Sequence, residues 1–453
     1  MAYAVTNPAT GEVVEEFPEA SDEQVRDAIA HTHAGYLAWR ERPVAERADV
    51  VRCAGELFVE RTDELGAIIT TEMGKRIEES RGEISIVNDI FAYYADNAER
   101  LLADEPLTIA GGKAVVQKRP VGVLLGIMPW NYPYYQVARF AAPNLVLGNT
   151  ILLKHAPNCP RSAAAIEQVL RDAGLPEGAY RNIYATNEQV AWVLADPRVQ
   201  GVSLTGSERA GAAVAAEAGK NLKKIVLELG GSDPLIVLDS ADVAATAKVA
   251  VDSRLGNSGQ SCNAPKRMIV LADVYDDFVE EINEQITRVV LGDPADPATT
   301  LAPLSSAAAA DRLVEQIESA VADGANLRIG GTRVAGPGAY VTPALITDVK
   351  PGMRVHSEEL FGPAVVVYRA ADEAEAITLA NDTPFGLGSS VFSTDPERAR
   401  RVGEQIDAGM VCVNEAGGSQ ADLPFGGVKR SGVGRELGYL GIEEFMNKRV
   451  VKL

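Results

Sequence analysis

The residue in this chain whose type and setting most suggest chemistry is Cys262. It closes the run Asn257-Ser258-Gly259-Gln260-Ser261, all small or polar, and the apolar stretch Met268-Ile269-Val270-Leu271 lies just beyond. A free cysteine is most often a small buried hydrophobe. A Gly- and polar-rich loop instead suits a nucleophile, which needs a lowered pKa and a donor for the oxyanion it creates. No motif supplies a histidine partner, so a papain-like dyad is disfavoured. The other cysteines, Cys53, Cys159 and Cys412, are widely spaced and form no C-x-x-C pair. The histidines His31, His33, His155 and His356 make no H-E-x-x-H or Cys/His cluster, so no metal site is expected.

Three further residues could work with such a nucleophile. Glu228 interrupts a strand pattern of Ile, Val and Leu. A buried carboxylate costs several kcal/mol unless paired or protonated, and the resulting raised pKa suits a general base. The alternative for it is a half-exposed edge position. Asn131, in Pro129-Trp130-Asn131-Tyr132-Pro133, is either an amide donor to an oxyanion or an ordinary turn residue. Lys154 ends the strand pattern Thr150–Lys154, where ligands of open α/β sheets bind, or it is a surface lysine. No G-x-G-x-x-G follows a strand. The turn Gly206-Ser207-Glu208-Arg209-Ala210-Gly211 does sit between a strand and a helix pattern, so its backbone N–H groups could face a phosphate.

These positions rest on an alternation of short β-rich runs with Ala-rich helical runs from about Val115 onward. The pattern predicts an α/β protein with parallel sheets covered by helices, in two domains that meet near residue 230. Upstream, Ser21 and Gln24 form a capping-box pattern, and one long helix is predicted from Val44 to Glu72 with Gly74 as its C-cap. A chain of 453 residues is too long for one compact core.

The net charge of −20 disfavours nucleic acid and anionic membranes as partners. The acid excess and scarcity of Lys also raise adaptation to high salt, a halophile trait, against the blander reading of an ordinary solvated acidic surface. No signal peptide or membrane-length apolar run is visible, and a cytoplasmic location is expected.

Together these residues resemble the aldehyde dehydrogenase superfamily. The resemblance runs from the N-terminal NPATGE to the last strand. It is carried in order by PWNYP at 129–133, LLKHAP at 152–157, LTGS at 204–207, LELGGSDP at 227–234, GQSC at 259–262, EELFGP at 358–363 and PFGGVKRSGVGRE at 424–436. It implies two Rossmann-like parallel-sheet domains plus an oligomerisation extension: residues 1–101 and 121–230 for the dinucleotide, 231–430 for the catalytic domain, and 102–120 with 431–453 for assembly. By the same resemblance, Cys262 is the nucleophile and Glu228 the general base. Asn131 and the Cys262 amide form the oxyanion hole. Lys154 and Glu359 bind cofactor ribose hydroxyls, Gly206 and Ser207 face the pyrophosphate, and Phe361 and Trp130 line the nicotinamide side.

The segments LLKHAPN, LELGGSDP and GQSCNAPKR look most like short bacterial succinate-semialdehyde dehydrogenases. In that group the match to Arg139 grips the substrate's far carboxylate, a role suited to a permanently charged, bidentate donor. The bland alternative is a structural ion pair. A second clamp arginine of longer members is Gly256 here, with Arg254 nearby as a stand-in, and Ser419 lies in the loop that closes the substrate tunnel. Pro157 replaces a glutamate that would repel a 2′-phosphate, so the cofactor is NAD or NADP. The alternatives are another aliphatic aldehyde, a CoA-acylating enzyme or a non-enzymatic homologue. The partner is a small aldehyde, and the C-terminal RVVKL strand predicts a homodimer or homotetramer.

Overall fold

The computed structural model describes residues 3–453. Two sheets organise it. The first has six strands in the order Gly432–Val433, Lys224–Glu228, Val199–Thr205, Val123–Met128, Thr150–His155 and Tyr180–Asn182. Its strands are parallel except at the Gly432–Val433 edge. The second has seven strands, with Asp233–Val237, Pro265–Leu271 and Ala364–Ala370 as parallel neighbours at its centre. The chain passes from the first sheet to the second between Glu228 and Asp233, so that crossing carries Gly230 and Gly231.

A third sheet joins Glu105–Leu107, Ala114–Pro120 and Met446–Lys452, all antiparallel. The 431–453 segment is therefore divided: Gly432–Val433 extends the first sheet, and only the last strand joins the arm.

Patterning accounts for most of these elements. Pro265–Leu271 is buried at all seven positions, as a strand covered on both faces must be. The helix Asp22–Trp39 starts on the expected capping box, with Ser21 accepting from Gln24 N and Gln24 returning to Ser21 N. The single helix expected over 44–72 is instead two, Val44–Glu60 and Thr62–Met73. Arg61 leaves helical geometry at φ −102° and ψ 22°, while Thr62 Oγ1 takes the Val59 carbonyl at 2.7 Å. That side-chain bond competes with the helical ladder. Gly74 then ends the second helix with φ 76°, which a residue with a Cβ adopts at a cost.

Candidate active site

The loop that carries Cys262 is built on unusual backbone. Helix Val243–Leu255 ends at Gly256, and the next residues, Asn257 and Ser258, both have left-handed φ, 52° and 54°. Each such non-glycine residue costs about 1–2 kcal/mol. Specific bonds hold them there. Asn257 N donates to Glu79 Oε1 at 2.9 Å, Asn257 Nδ2 to the Asn131 carbonyl at 2.8 Å, and Ser258 Oγ to the Ala302 carbonyl at 2.9 Å. Gly259 has φ +74°, and a Cβ there would lie 2.3 Å from the Gly362 carbonyl oxygen. Cys262 follows, half-buried, and burial pushes its thiol up to about 11 against the opposing cations Arg139 and Lys266.

Asn131 is 4% exposed, and its Nδ2 donates to the Gln260 carbonyl at 3.0 Å. A carboxamide has two N–H groups, so this bond fixes the amide plane and leaves the other donor for an oxyanion. The loop that carries it hangs on a buried ion pair. Glu83 accepts Tyr134 N at 2.8 Å and Tyr135 N at 3.1 Å, and its other oxygen pairs with Lys75. The Lys75 ammonium also lies 3.6 Å from the centre of the Tyr132 ring. Tyr132 Oη meets Ser261 Oγ at 2.7 Å, so the asparagine and cysteine loops are tied to one another.

Glu228 is 2% exposed, not the half-exposed edge position that sequence alone allowed. Neither carboxyl oxygen has a hydrogen-bond partner among the described residues. Burial raises its carboxyl well above the ordinary glutamate range; Arg139 opposes that and Glu436 adds to it. A raised pKa of this kind suits a carboxyl to general-base work. Gly426 makes room for it, since a Cβ there would lie 2.7 Å from Glu228 Oε1.

The remaining expected residues divide around this centre. Lys154 is 7% exposed, and burial lowers its pKa. Its ammonium lies 5.7 Å from the Tyr3 ring centre, and the Glu19 charge opposes that lowering. Ser207 caps helix Glu208–Lys220 through Ala210 N at 3.4 Å, and Gly206 N donates to the Glu228 carbonyl at 2.9 Å. Glu359 accepts Gly231 N at 3.2 Å, and a Cβ on Gly230 would lie 2.6 Å from Glu359 Oε2. Phe361 and Trp130 make an edge-to-face pair at 5.7 Å. Pro157 is half-buried and places no carboxylate beside Lys154.

A buried lysine, a capped helix start, a loop glutamate and an aromatic pair fit a dinucleotide with ribose hydroxyls, phosphates and a flat ring.

Two expectations need correction. Arg139 does not reach out as a carboxylate clamp. Its side chain is fully buried, and its Nε lies 2.8 Å from Glu436 Oε2. That pairing is a close charge contact rather than an aligned hydrogen bond. The guanidinium is sandwiched at 4.9 Å from Tyr135 and 4.5 Å from Phe425. Arg254 cannot stand in for the missing clamp, because it donates to the carbonyls of Ala364, Gly259 and Leu360 and is fully buried. Ser419 is half-buried and accepts from Tyr135 Oη at 2.7 Å.

Sequence reasoning passed over Lys75, Glu83, Glu436 and Lys266. Only Lys266 carried a local signal, a charge at the start of an apolar strand. The others matter through partners far away in the chain. No group of three or more His, Cys, Asp or Glu suited to a metal occurs among the described residues.

Comparison with known proteins agrees with this geometry. The model of the aldehyde dehydrogenase family matches residues 1–451. A succinate-semialdehyde dehydrogenase [NADP(+)] of Deinococcus radiodurans is 52% identical over 450 residues, covering 99% of this chain and 94% of the relative. The crystal structure of succinic semialdehyde dehydrogenase from Streptococcus pyogenes, in complex with NADP+, matches at a TM-score of 0.98 and 42% identity, with 100% of both chains covered. Betaine aldehyde dehydrogenase from Staphylococcus aureus, in complex with NAD+, matches at 0.95 and 30% identity, covering 100% of this chain and 91% of that one. The chain belongs to the aldehyde dehydrogenase family.

Proposed function

We propose that this protein oxidises succinate semialdehyde to succinate with NADP, and with NAD as the weaker alternative. The observation that carries the substrate is a directed chain of hydrogen bonds. Arg139 Nη1 donates to Tyr135 Oη at 3.3 Å, and Tyr135 Oη donates to Ser419 Oγ at 2.7 Å. The Ser419 hydroxyl then has its own proton to give to a carboxylate. Arg139 thus acts from beneath, polarising the chain rather than touching the substrate. The named activities of the Deinococcus and Streptococcus relatives support the same substrate and cofactor.

Cys262 thiolate adds to the aldehyde carbon, and the oxyanion of the thiohemiacetal is held by Asn131 Nδ2 and the Cys262 N–H. Bound NADP supplies the acceptor for the hydride that leaves this carbon. Collapse of the oxyanion restores the carbonyl as a thioester on Cys262. Glu228 takes a proton from water, whose oxygen attacks the thioester, and the acid departs as the thiolate is regenerated. Lys154 and Glu359 would hold the ribose hydroxyls, and the Gly206–Ser207 turn the pyrophosphate. Glu228 supports water as the acyl acceptor, since a general base at that place serves to activate it.

Steady-state kinetics with succinate semialdehyde, butyraldehyde, acetaldehyde and betaine aldehyde, each with NADP and NAD, test this reading. Succinate semialdehyde with NADP is expected to have the highest kcat/KM. Ser419→Ala should raise KM for succinate semialdehyde and leave butyraldehyde unchanged. A preference for acetaldehyde or betaine aldehyde, or an equal effect of Ser419→Ala on both substrates, overturns the substrate assignment.

The third sheet supports a reading of assembly. Met446–Lys452 is an edge strand, and Val450 and Leu453 beside it are 63% and 72% exposed. Such an edge is hazardous unless covered, so we assign it to pairing with another copy, as a dimer or tetramer. Light scattering in solution decides between them. The charge of −20 supports function in high salt, and activity that only declines as salt is added would refute that reading.

A further inference from the structure

One buried charge beside the nucleophile has no part in the mechanism above. Lys266 stands in strand Pro265–Leu271, and its side chain is 2% exposed. Its Nζ donates to the Ser261 carbonyl at 2.7 Å and the Cys262 carbonyl at 2.6 Å, and lies 3.0 Å from Glu359 Oε1. The two carbonyls take two of the ammonium donors, and Glu359 stands beside them as a close ion pair.

The identity of the acceptors gives the arrangement its meaning. The Ser261 carbonyl and the Cys262 N–H share one rigid peptide plane. A cation bonded to that carbonyl fixes the direction of the N–H and polarises it as a donor. Gly231 packs tightly against the Cys262 carbonyl, where a Cβ would lie 2.4 Å from the oxygen. Gly231 N in turn donates to Glu359, so Lys266, Glu359, Gly231 and Cys262 close a ring of contacts.

The charged and titratable groups facing Cys262 are few. Arg139 and Lys266 are the cations, Glu359 and Glu228 the acids, with Tyr132 and Tyr135 beside them. Arg139 is paired with Glu436, and Lys266 with Glu359.

We propose that Lys266 is a positioning residue for the reaction: it orients and polarises the Cys262 amide as oxyanion donor, and its charge stabilises the thiolate. This rests on the reading of Cys262 as nucleophile. Glu359 tempers the effect by sharing the ammonium, so cofactor-side and nucleophile-side groups are balanced on one side chain.

The test is the pH dependence of alkylation of Cys262 by iodoacetamide, followed by peptide mass mapping, with neither aldehyde nor cofactor present. Lys266→Met should move the profile to higher pH and slow alkylation at pH 8 by about tenfold, the equivalent of one pKa unit. Lys266→Arg keeps the charge and should keep the profile. It should still lose kcat, because a planar guanidinium cannot replace a compact ammonium beside two carbonyls and a carboxylate. Glu359→Gln should move alkylation the opposite way, to lower pH. A wild-type profile in folded Lys266→Met, or an unchanged or slower Glu359→Gln, overturns the proposal. If Lys266→Met does not fold, as judged by circular dichroism, the Arg and Gln variants decide by the same signs. Aldehyde turnover by the wild-type enzyme is scored separately, so failure of this proposal and failure of the assigned function read out differently.

Discussion

The buried pair Lys75–Glu83 gives the strongest test of how the site is held. Both side chains have no exposed surface. Glu83→Gln keeps an oxygen to accept the Tyr134 and Tyr135 amides, and removes the charge and the oxygen that accepts from Lys75. An ammonium left unpaired in such a setting costs about 3–5 kcal/mol. Burial already lowers the Lys75 pKa, with Glu83 the chief group restoring it. Without Glu83 the folded-state value falls further below the unfolded one. The neutral amine is then favoured in the folded state, and the deficit shrinks as pH rises toward the unfolded lysine value.

The assay is urea unfolding of wild type, Lys75→Met, Glu83→Gln and the double variant, at one protein concentration and at two pH values. Each single variant should lose about 3–5 kcal/mol at neutral pH. The double variant, with no orphan charge, should lose less than the sum by about 2 kcal/mol or more. Because the Asn131 loop is anchored here, kcat should also fall, by about 10²-fold for a shift near 1 Å. A Glu83→Gln loss within about 0.5 kcal/mol, or strict additivity in the cycle, would refute the reasoning.

Other outcomes follow from single distances and charges. Gly231→Ala puts a Cβ 2.4 Å from the Cys262 carbonyl, and kcat should drop by about 10²-fold in steady-state assays with the fold retained by circular dichroism. Pro157→Glu should reduce kcat/KM for NADP about tenfold to hundredfold and spare NAD, since a carboxylate there repels a 2′-phosphate; an equal fall for both cofactors would contradict it. Glu228 works as a base only when ionised, and burial holds its pKa above the ordinary range, so the hydrolytic step should speed up as pH rises through that raised value. Glu228→Gln should instead show a flat profile and accumulate the acyl-enzyme, seen as added mass on Cys262.

Much of the frame was readable in the residues themselves. Strand runs such as Val123–Met128 announce themselves because a strand covered on both faces is apolar throughout. Ser21 and Gln24 marked a helix start because capping is a local event. Cys262, Glu228, Asn131 and Lys154 stood out because each breaks the pattern of its own element. What sequence left open was settled by partners remote in the chain. Arg139 meets Glu436 across nearly 300 residues of sequence, and that pairing decides whether its charge faces substrate or the interior. Glu83, on helix Ile77–Asp96, reaches the Tyr134 and Tyr135 amides, and Lys75, just before that helix, reaches the Tyr132 ring. The left-handed turn at Asn257 and Ser258 is strained on its own and exists only because Glu79, Asn131 and Ala302 arrive to bond it. Local pattern fixes which groups are chemically unusual. Burial and pairing, which set their charge and direction, are properties of the folded chain alone.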